Sequence, residues 1–342
     1  MTEDMLSVLR GVAPELQEVI ERRFAVLQAA AGAEPVGRRS LAERLGWPER
    51  TVRSEVEVLK RLGLIQSRTA GVTITPSGSQ MLNSLRAIMR ELHGLAELEG
   101  VLAAGLGLHQ VVVVPGDSES DSTAKDAMVR AAADYLTATF ADGDVVAVSG
   151  GSTLADVAAK LPHSDEFGGV TFVPTGGGLG DRLEIEANAV AAQFARSLGA
   201  KYRLLHMRDD LEKTEVEALL RTHPSVAEMF GLIRSARIVV QGIGTLNSVA
   251  QRRGFSAEFQ QDLAKRGVVG ESLGEFFDAS GKLVESTRNV GLRVDDLKHV
   301  QRVIAVAGGA SRAEAILAVM STRQQHVLIT DEAAAVAVAS SL

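Results

Sequence analysis

The chain has 342 residues, of which 46% are hydrophobic, and it carries a formal net charge of −7. This length suits roughly two domains, each large enough to bury a core. There is no cysteine, which excludes disulfides, cysteine-ligated zinc and thiol catalysis. The seven histidines are scattered without ligand spacing, so we expect no metal site. Residues 1–10 contain Glu3, Asp4 and no long apolar run, so we expect no signal peptide, no membrane anchor and a cytoplasmic protein.

Positive charge is concentrated near the N-terminus although the whole chain is acidic. Residues 36–80 contain eight arginines and lysines against four glutamates, so this segment is +4 and the rest of the chain is −11. A basic patch can neutralise DNA phosphates where it touches them, while an acidic remainder limits unspecific binding. A solvated charged face is the alternative interpretation of the charge pattern taken alone.

The first 80 residues have the order of elements expected of a winged helix-turn-helix domain. Apolar spacing predicts a helix over 14–31. Ser40 is placed to cap a short helix that ends at Leu45, with Glu43 as its capping-box partner. Gly46 then suits the tight turn, and Pro48 suits the start of a second helix over 49–62.

The second helix has the character of a DNA recognition helix. Val52, Val56 and Leu59 form its inward stripe, and residues 64–78 predict two short strands that form a wing. Arginine suits guanine edges, and small hydroxyl side chains suit bases or phosphates. The alternative is a winged helix used only for protein contacts. The predicted contacts to double-stranded operator DNA are Arg38, Arg39, Arg50, Thr51, Arg53, Ser54 and Arg68.

Residues 81–106 are predicted to connect two domains. Apolar residues over 77–104 recur at close to 3.5-residue spacing, which leaves two interpretations open. The helix either pairs with a second copy as a short coiled coil, or docks on its own C-terminal domain.

Residues 107–342 predict an α/β domain with a doubly wound parallel sheet. Short Val- and Ile-rich runs alternate here with helical patterns, and seven strands are one too few for an eight-stranded barrel. The predicted strands are 110–114, 144–149, 170–174, 202–206, 237–241, 303–307 and 326–330. The predicted helices are 123–140, 152–161, 185–198, 212–234, 258–266, 311–320 and 331–340.

Glycines cluster after four of these strands, around 150, 176, 242 and 308. Ligands of open α/β sheets bind beyond the carboxyl ends of the strands, where glycine loops and helix N-termini hold anions. The pattern therefore predicts a phosphate-binding cleft. The first strand is not followed by GxGxxG, and the chain has no GxxxxGK[ST], which disfavours nicotinamide and ATP as cofactors. The nine candidate effector-binding residues are Gly150, Gly151, Ser152 and Thr153 in the first loop, Arg252, Arg253 and Arg312 for phosphate, Glu271 for hydroxyl groups, and Glu186.

Several motifs together resemble the SorC family of sugar-sensing transcription regulators over the whole chain. They are GRRSLAERLG, VSGGSTL, VPTGGGLG, LEIEANAVAA, YRLLH, GIG, AQRRG, VAGGASRAEAI and LITDEAA. The resemblance implies a repressor of a glycolytic or related carbohydrate operon that forms homodimers or homotetramers. It also implies a sensor domain that resembles sugar-phosphate isomerases and deaminases and that needs no cofactor. The implied effector is a phosphorylated sugar, and fructose 1,6-bisphosphate is the leading candidate.

The resemblance also assigns roles to residues of this chain. It implies that residues 150–153 and Arg252, with Arg253 beside it, bind the phosphate of the effector. It implies that Glu271 binds the sugar hydroxyl groups. Arg312 stands where the family has a lysine, which keeps the charge but changes the geometry.

Two further positions depart from the family pattern. Gly176 replaces an arginine, and Glu186 replaces a glutamine. The site thereby loses a cation and gains a carboxylate. A sugar monophosphate such as fructose 6-phosphate, glucose 6-phosphate or dihydroxyacetone phosphate is therefore an alternative effector.

The main rival hypothesis is a sugar-phosphate isomerase or deaminase joined to a DNA-binding domain. Such an enzyme needs a general acid and a general base near the sugar carbons, and Asp181, Glu186 and Glu271 are the available carboxylates. They form no paired motif, and the resemblance favours sensing, so we expect a regulator and not an enzyme.

Overall fold

The computed structural model describes residues 12–31, 35–68, 71–178, 183–207, 211, 213–287 and 290–342. Its first part, termed the head, is a winged helix-turn-helix with one further helix. The elements of the head are α1 (Pro14–Ala31), α2 (Arg38–Leu45), α3 (Glu49–Arg61), β1 (Ile65–Arg68), β2 (Gly71–Ile74) and α4 (Pro76–Leu92).

The helix-turn-helix follows the predicted pattern except at the start of α2. Gly46 adopts the left-handed conformation, with φ 64°, in the turn between α2 and α3. The predicted cap at Ser40 is wrong, because α2 begins at Arg38 with Gly37 at its N-cap and no side-chain cap. The reason is a backbone bridge between Val36 and Val72, which brings the chain to the wing and fixes where the helix begins.

The predicted single connecting helix is also wrong, because the structure breaks it into α4 and α5 (Leu95–Leu106). The break lies at Gly94, whose φ is 62°, a conformation that glycine adopts without strain. Helix α4 buries Leu82 and Met89 in the core of the head. Helix α5 buries Leu95 and Leu102 in the core of the second domain, as the docked interpretation requires.

The second domain, termed the sensor domain, is built on a parallel sheet of seven strands in the order β3-β13-β12-β7-β4-β5-β6. Alternate strand residues face opposite cores: Ala147 and Val239 lie in one, Val146 and Val240 in the other. Helices cover both faces, so the sheet is doubly wound as predicted. The strands are β3 (Gln110–Val114), β4 (Val145–Val148), β5 (Thr171–Pro174), β6 (Lys201–Tyr202), β7 (Ile238–Gly242), β12 (Arg302–Val306) and β13 (Val327–Asp331).

The helices of the sensor domain follow the prediction with one break and one omission. The predicted helix 212–234 is interrupted at His223, because Pro224 has no N–H to continue it. Helix α11 is absent from the prediction. The helices are α6 (Ser122–Thr137), α7 (Ser152–Lys160), α8 (Ala187–Ser197), α9 (Lys213–Thr222), α10 (Pro224–Arg234), α11 (Leu246–Arg253), α12 (Ala257–Lys265), α13 (Ala313–Ser321) and α14 (Glu332–Ala339).

A second, antiparallel sheet stands beside the parallel one and is also absent from the prediction. Its order is β11-β10-β9-β8. Leu273, with φ 52°, and Gly274, with φ 79°, turn β9 into β10. Turns with positive φ at both central residues match the twist of a two-residue hairpin. Its strands are β8 (Gly244–Thr245), β9 (Val268–Ser272), β10 (Glu275–Asp278) and β11 (Leu283–Ser286).

Candidate functional site

The loop from β4 to α7 forms a cradle of backbone N–H groups. Gly150 packs so closely on the chain before α8 that an added Cβ would lie 2.7 Å from the Ile185 carbonyl oxygen. Gly151 donates to that same carbonyl at 2.8 Å. Within the described ranges, the first three N–H groups of α7, from Ser152 to Leu154, have no hydrogen-bond acceptor. Orphan donors at a helix N-terminus attract anions.

One arginine stands directly over this cradle. The Arg252 guanidinium lies 3.4 Å from the position that a Cβ on Gly151 would take. Its other terminal nitrogen lies 3.4 Å from Oε2 of Glu271, a carboxylate that is 6% exposed. The second Glu271 oxygen accepts from the Gly274 N–H at 2.7 Å. The buried carboxylate therefore keeps the guanidinium at the edge of the cradle.

The other two predicted cations, Arg253 and Arg312, are bonded to other loops around the site. Arg253 donates to Thr287 Oγ1 at 2.7 Å, and this hydroxyl donates to the Gly274 carbonyl at 2.9 Å. Arg312 folds back on its own loop and donates to the Gly308 carbonyl at 2.6 Å. Each guanidinium is thus tied to local backbone or hydroxyl groups.

These loops enclose a cavity of about 760 Å³, which has the size of a small-molecule site. All nine predicted effector residues line it, and so does Gly176. One wall of the cavity is formed by α11, α12 and β11. The sequence predicted α12, as a helix over 258–266, and the site residues Arg252 and Arg253, but neither α11 nor β11 as an element. A signal for this wall was available, because Gly274 and Gly281 separate short apolar runs over 268–286. The lining residues of this wall that were not predicted include Gln251, Phe255, Phe259, Glu285, Ser286 and Thr287.

The predicted DNA-contacting residues lie along α2, α3 and the wing. Arg50, Arg53 and Ser54 are exposed on α3, and no ion pair of Arg50 or Arg53 occurs within the part of the chain that the structure describes. Thr51 is half-buried. The other three predicted arginines have partners. Arg38 is bonded to Ser67 and lies 3.7 Å from Glu57, Arg39 lies 3.6 Å from Glu43, and Arg68 donates to Gln66.

The head contacts the sensor domain through polar groups. The side chain of Gln28 on α1 donates to the Thr123 carbonyl at 3.0 Å in a buried position. His93, which follows α4, lies with Nδ1 2.9 Å from both carboxylate oxygens of Glu332 on α14. Its Nε2 lies 3.5 Å from Glu21 on α1. His93 thus joins a helix of the head to a helix of the sensor domain.

The same end of α14 is bonded to the loop after β12, which contributes Arg312 to the lining of the cavity. Burial raises the pKa of Glu332, but hydrogen bonds from His93 and from the Gly116 N–H outweigh burial and lower it overall. The adjacent Asp331 accepts from the Gly309 N–H at 2.7 Å and the Ser118 N–H at 2.8 Å. One residue therefore holds the last glycine loop, and its neighbour holds the head.

Within the described ranges, no cluster of three or more His, Asp or Glu side chains has the geometry of a metal site. No helix in those ranges is long and apolar enough to cross a membrane. Asp181, a carboxylate of the rival enzyme hypothesis, lies outside the described residues.

A winged helix-turn-helix joined to a cavity-bearing α/β domain defines a ligand-responsive transcription regulator. Residues 19–89 match the family of the CggR N-terminal DNA binding domain, and residues 90–340 match the Sugar-bind family of sugar-binding domains. The chain belongs to the SorC-type sugar-binding transcriptional regulators.

Curated relatives match the chain over almost its whole length. It is 39% identical over 332 residues to the Central glycolytic genes regulator of Priestia megaterium, and the match covers 97% of each chain. It is 36% identical over 331 residues to the protein of the same name from Bacillus subtilis, again covering 97% of each.

Solved structures have the same fold. A SorC family transcriptional regulator from Enterococcus faecalis is 34% identical with a TM-score of 0.64, over 71% of this chain and 99% of that one. The full-length sorbitol operon regulator SorC from Klebsiella pneumoniae has a TM-score of 0.65 over 89% of this chain and 94% of that one. At 20% identity, this second match shows the fold alone.

These relatives are named regulators, so the rival enzyme hypothesis is set aside. The chain is a sugar-responsive transcription regulator whose partners are DNA and a small sugar-derived molecule.

Proposed function

We propose that the protein represses a glycolytic or related carbohydrate operon and leaves its operator when a phosphorylated sugar enters the cavity. The observation that carries the proposal is the row of three N–H groups at the start of α7 that have no acceptor among the described residues, with Arg252 beside it. A phosphate there would accept charge-assisted hydrogen bonds from the backbone and from a guanidinium. Two relatives named for glycolytic genes support the choice of operon.

The proposed DNA-binding surface is α3 with the wing. Arg50 and Arg53 are exposed on α3, and Val52, Val56 and Leu59 anchor its opposite face in the core. A helix fixed in this way can present its N-terminal half to the major groove.

The proposed signal runs through the N-terminal end of α14. Effector binding at the glycine loops would shift Asp331 through Gly309, and the neighbouring Glu332 holds His93 and thereby the head. The head is taken to have two positions on the sensor domain, one that binds the operator and one that does not. An effector changes operator affinity only to the extent that it binds one of these arrangements more tightly than the other. The compounds to compare are fructose 1,6-bisphosphate, which the family resemblance implies, and the sugar monophosphates.

The test is fluorescence anisotropy of DNA from upstream of the protein's own gene, titrated with protein at fixed modest salt. We expect sugar phosphate to weaken binding. Arg53→Ala should weaken operator binding about 10-fold, since one base contact contributes about 1–3 kcal/mol, and should leave sugar-phosphate binding intact. Lys60→Ala, which removes an equal charge from the far end of α3, is the control and should cost less.

Thr153→Ala is the matching change on the ligand side. It removes one hydroxyl donor from the cradle, so we expect about a 10-fold higher effector concentration for release. Operator affinity without effector should not change. Release that is insensitive to Thr153, or DNA binding that is insensitive to Arg53, would contradict the corresponding half of the proposal.

A further inference from the structure

The four glycine loops at the cavity are not equivalent as phosphate sites. In the loop after β4, three successive N–H groups have no acceptor within the described ranges. The loop after β5 has already used two of its N–H groups, since Gly177 donates to the Val290 carbonyl at 3.0 Å and Gly178 to the Met207 carbonyl at 3.3 Å. In the described part of this loop, which ends at Gly178, these two donors are therefore already bonded to carbonyls and are not available to a second phosphate.

The loop after β12 is used in the same way. Its Gly309 N–H donates to Asp331 at 2.7 Å, and its Ser311 N–H faces Glu119 at 3.3 Å. Both partners are carboxylates, which would repel an incoming phosphate. Arg312 is the cation of this loop, and its guanidinium is bonded to the Gly308 carbonyl.

A further carboxylate lies against the loop after β5. Oε2 of Glu186 is 2.5 Å from the position that a Cβ on Gly178 would take. Glu186 lines the cavity, and so does Glu271, which is 5% exposed. Ionised carboxylates accept hydrogen bonds from hydroxyl groups and repel phosphate oxygens.

We infer that the cavity selects a sugar carrying a single phosphate. The phosphate lies on the cradle at α7 beside Arg252, and the hydroxyl-bearing end of the sugar faces Glu186 and Glu271. The inference rests on the proposed function, because it names the ligand class of the same site. Glu186 is thereby a specificity-determining residue that discriminates against a second phosphate.

The test uses two ligands that differ only in the second phosphate. Isothermal titration calorimetry of the full chain compares fructose 6-phosphate with fructose 1,6-bisphosphate. We expect at least 10-fold tighter binding of the monophosphate. Glu186→Gln should strengthen bisphosphate binding at least 10-fold and change monophosphate binding less than 3-fold, factors taken as about 1.4 kcal/mol per decade of affinity.

Two variants separate this inference from the proposed function. Glu184→Gln makes the same charge change at an exposed position two residues away and should leave the preference unchanged. Thr153→Ala should weaken both ligands alike, because both keep the phosphate that the cradle holds.

Equal or tighter bisphosphate binding by the wild type, with no change in Glu186→Gln, would overturn the single-phosphate inference and leave the proposed function standing. Failure of folded protein to bind either of these ligands, and also to bind glucose 6-phosphate and dihydroxyacetone phosphate, would overturn the proposed function, and this inference with it.

Discussion

Glu271 illustrates how one buried residue organises the cavity. Its two oxygens have different partners, the Gly274 N–H on one side and the Arg252 guanidinium on the other. A buried carboxylate with both oxygens satisfied is a rigid support for a cation. The position of Arg252 over the cradle thus depends on a hairpin turn in a different sheet.

His326 gives a prediction at the same scale. Burial, together with the positive charges of His109 when protonated and of Arg302, lowers the pKa of His326. Its Nδ1 accepts the Val303 N–H at 2.9 Å, which requires an unprotonated nitrogen. In the range between the lowered pKa and the ordinary value of about 6.5 the unfolded chain binds more protons, so stability falls as pH drops below about 6.5.

We therefore expect the melting temperature of the wild type to fall more between pH 7.5 and pH 5.5 than that of His326→Asn, whose amide oxygen can still accept from Val303. Scanning fluorimetry in matched buffers measures the difference. Identical pH profiles would show that His326 does not contribute to acid sensitivity.

At the scale of elements, α14 connects the cavity to the head. Asp331 and Glu332 are adjacent, yet one bonds the glycine loop after β12 and the other bonds His93. Helices are stiff over a few residues, so a displacement at the N-terminal end of α14 reaches both partners.

His93→Ala should uncouple the two domains. It removes a hydrogen bond to a carboxylate, an interaction of about 1.5–3 kcal/mol. We therefore expect operator binding by the protein to become less sensitive to sugar phosphate. Anisotropy with and without effector measures this coupling, and calorimetry should show effector affinity within about twofold of wild type, a difference of roughly 0.4 kcal/mol. Gln80→Ala, at an exposed position of α4, is the control, and an unchanged effector response in His93→Ala would refute the route.

What the sequence predicted at this scale was set by local patterns. Apolar spacing predicted α1 and the inward stripe of α3, and short apolar runs predicted six of the seven parallel strands. The seventh, β6, shares only Tyr202 with the predicted strand 202–206. The start of α2 escaped prediction because it depends on a bridge from Val36 to Val72. The sequence also did not predict which glycine loops have N–H groups that are already bonded. These bonds depend on distant residues, since the acceptors of Gly177 and Gly309 are Val290 and Asp331, far along the chain.

The candidate site divides in the same way. Its nine predicted residues line one cavity, because glycine loops and the residues after them fall at a common edge of a parallel sheet. Phe255 and Phe259 were not predicted as lining residues, although the helix that carries Phe259, α12, was predicted over 258–266. The strands of the antiparallel sheet were not predicted, since they have two to five residues and polar interruptions. Periodicity is weakest in strands of this length.

For the whole molecule, the uneven distribution of charge predicts how salt acts. The basic segment at 36–80 belongs to a protein with a net charge of −7. With about four phosphate contacts per head, the slope of log affinity against log salt should be about −3.6. Operator affinity should then fall about a hundredfold between 50 and 200 mM salt.

Anisotropy at four salt concentrations measures this slope. Arg53→Ala should make it shallower only if Arg53 contacts a phosphate, and should leave it unchanged if Arg53 reads a base edge. A wild-type slope near zero would contradict an electrostatic operator interface.

The break at Gly94 has a consequence for engineering this architecture. Since α4 completes one core and α5 another, a chimera spliced at this joint cuts through neither interior. A reading head for a different promoter could therefore be grafted onto this sensor, provided that the graft keeps a histidine to face Glu332.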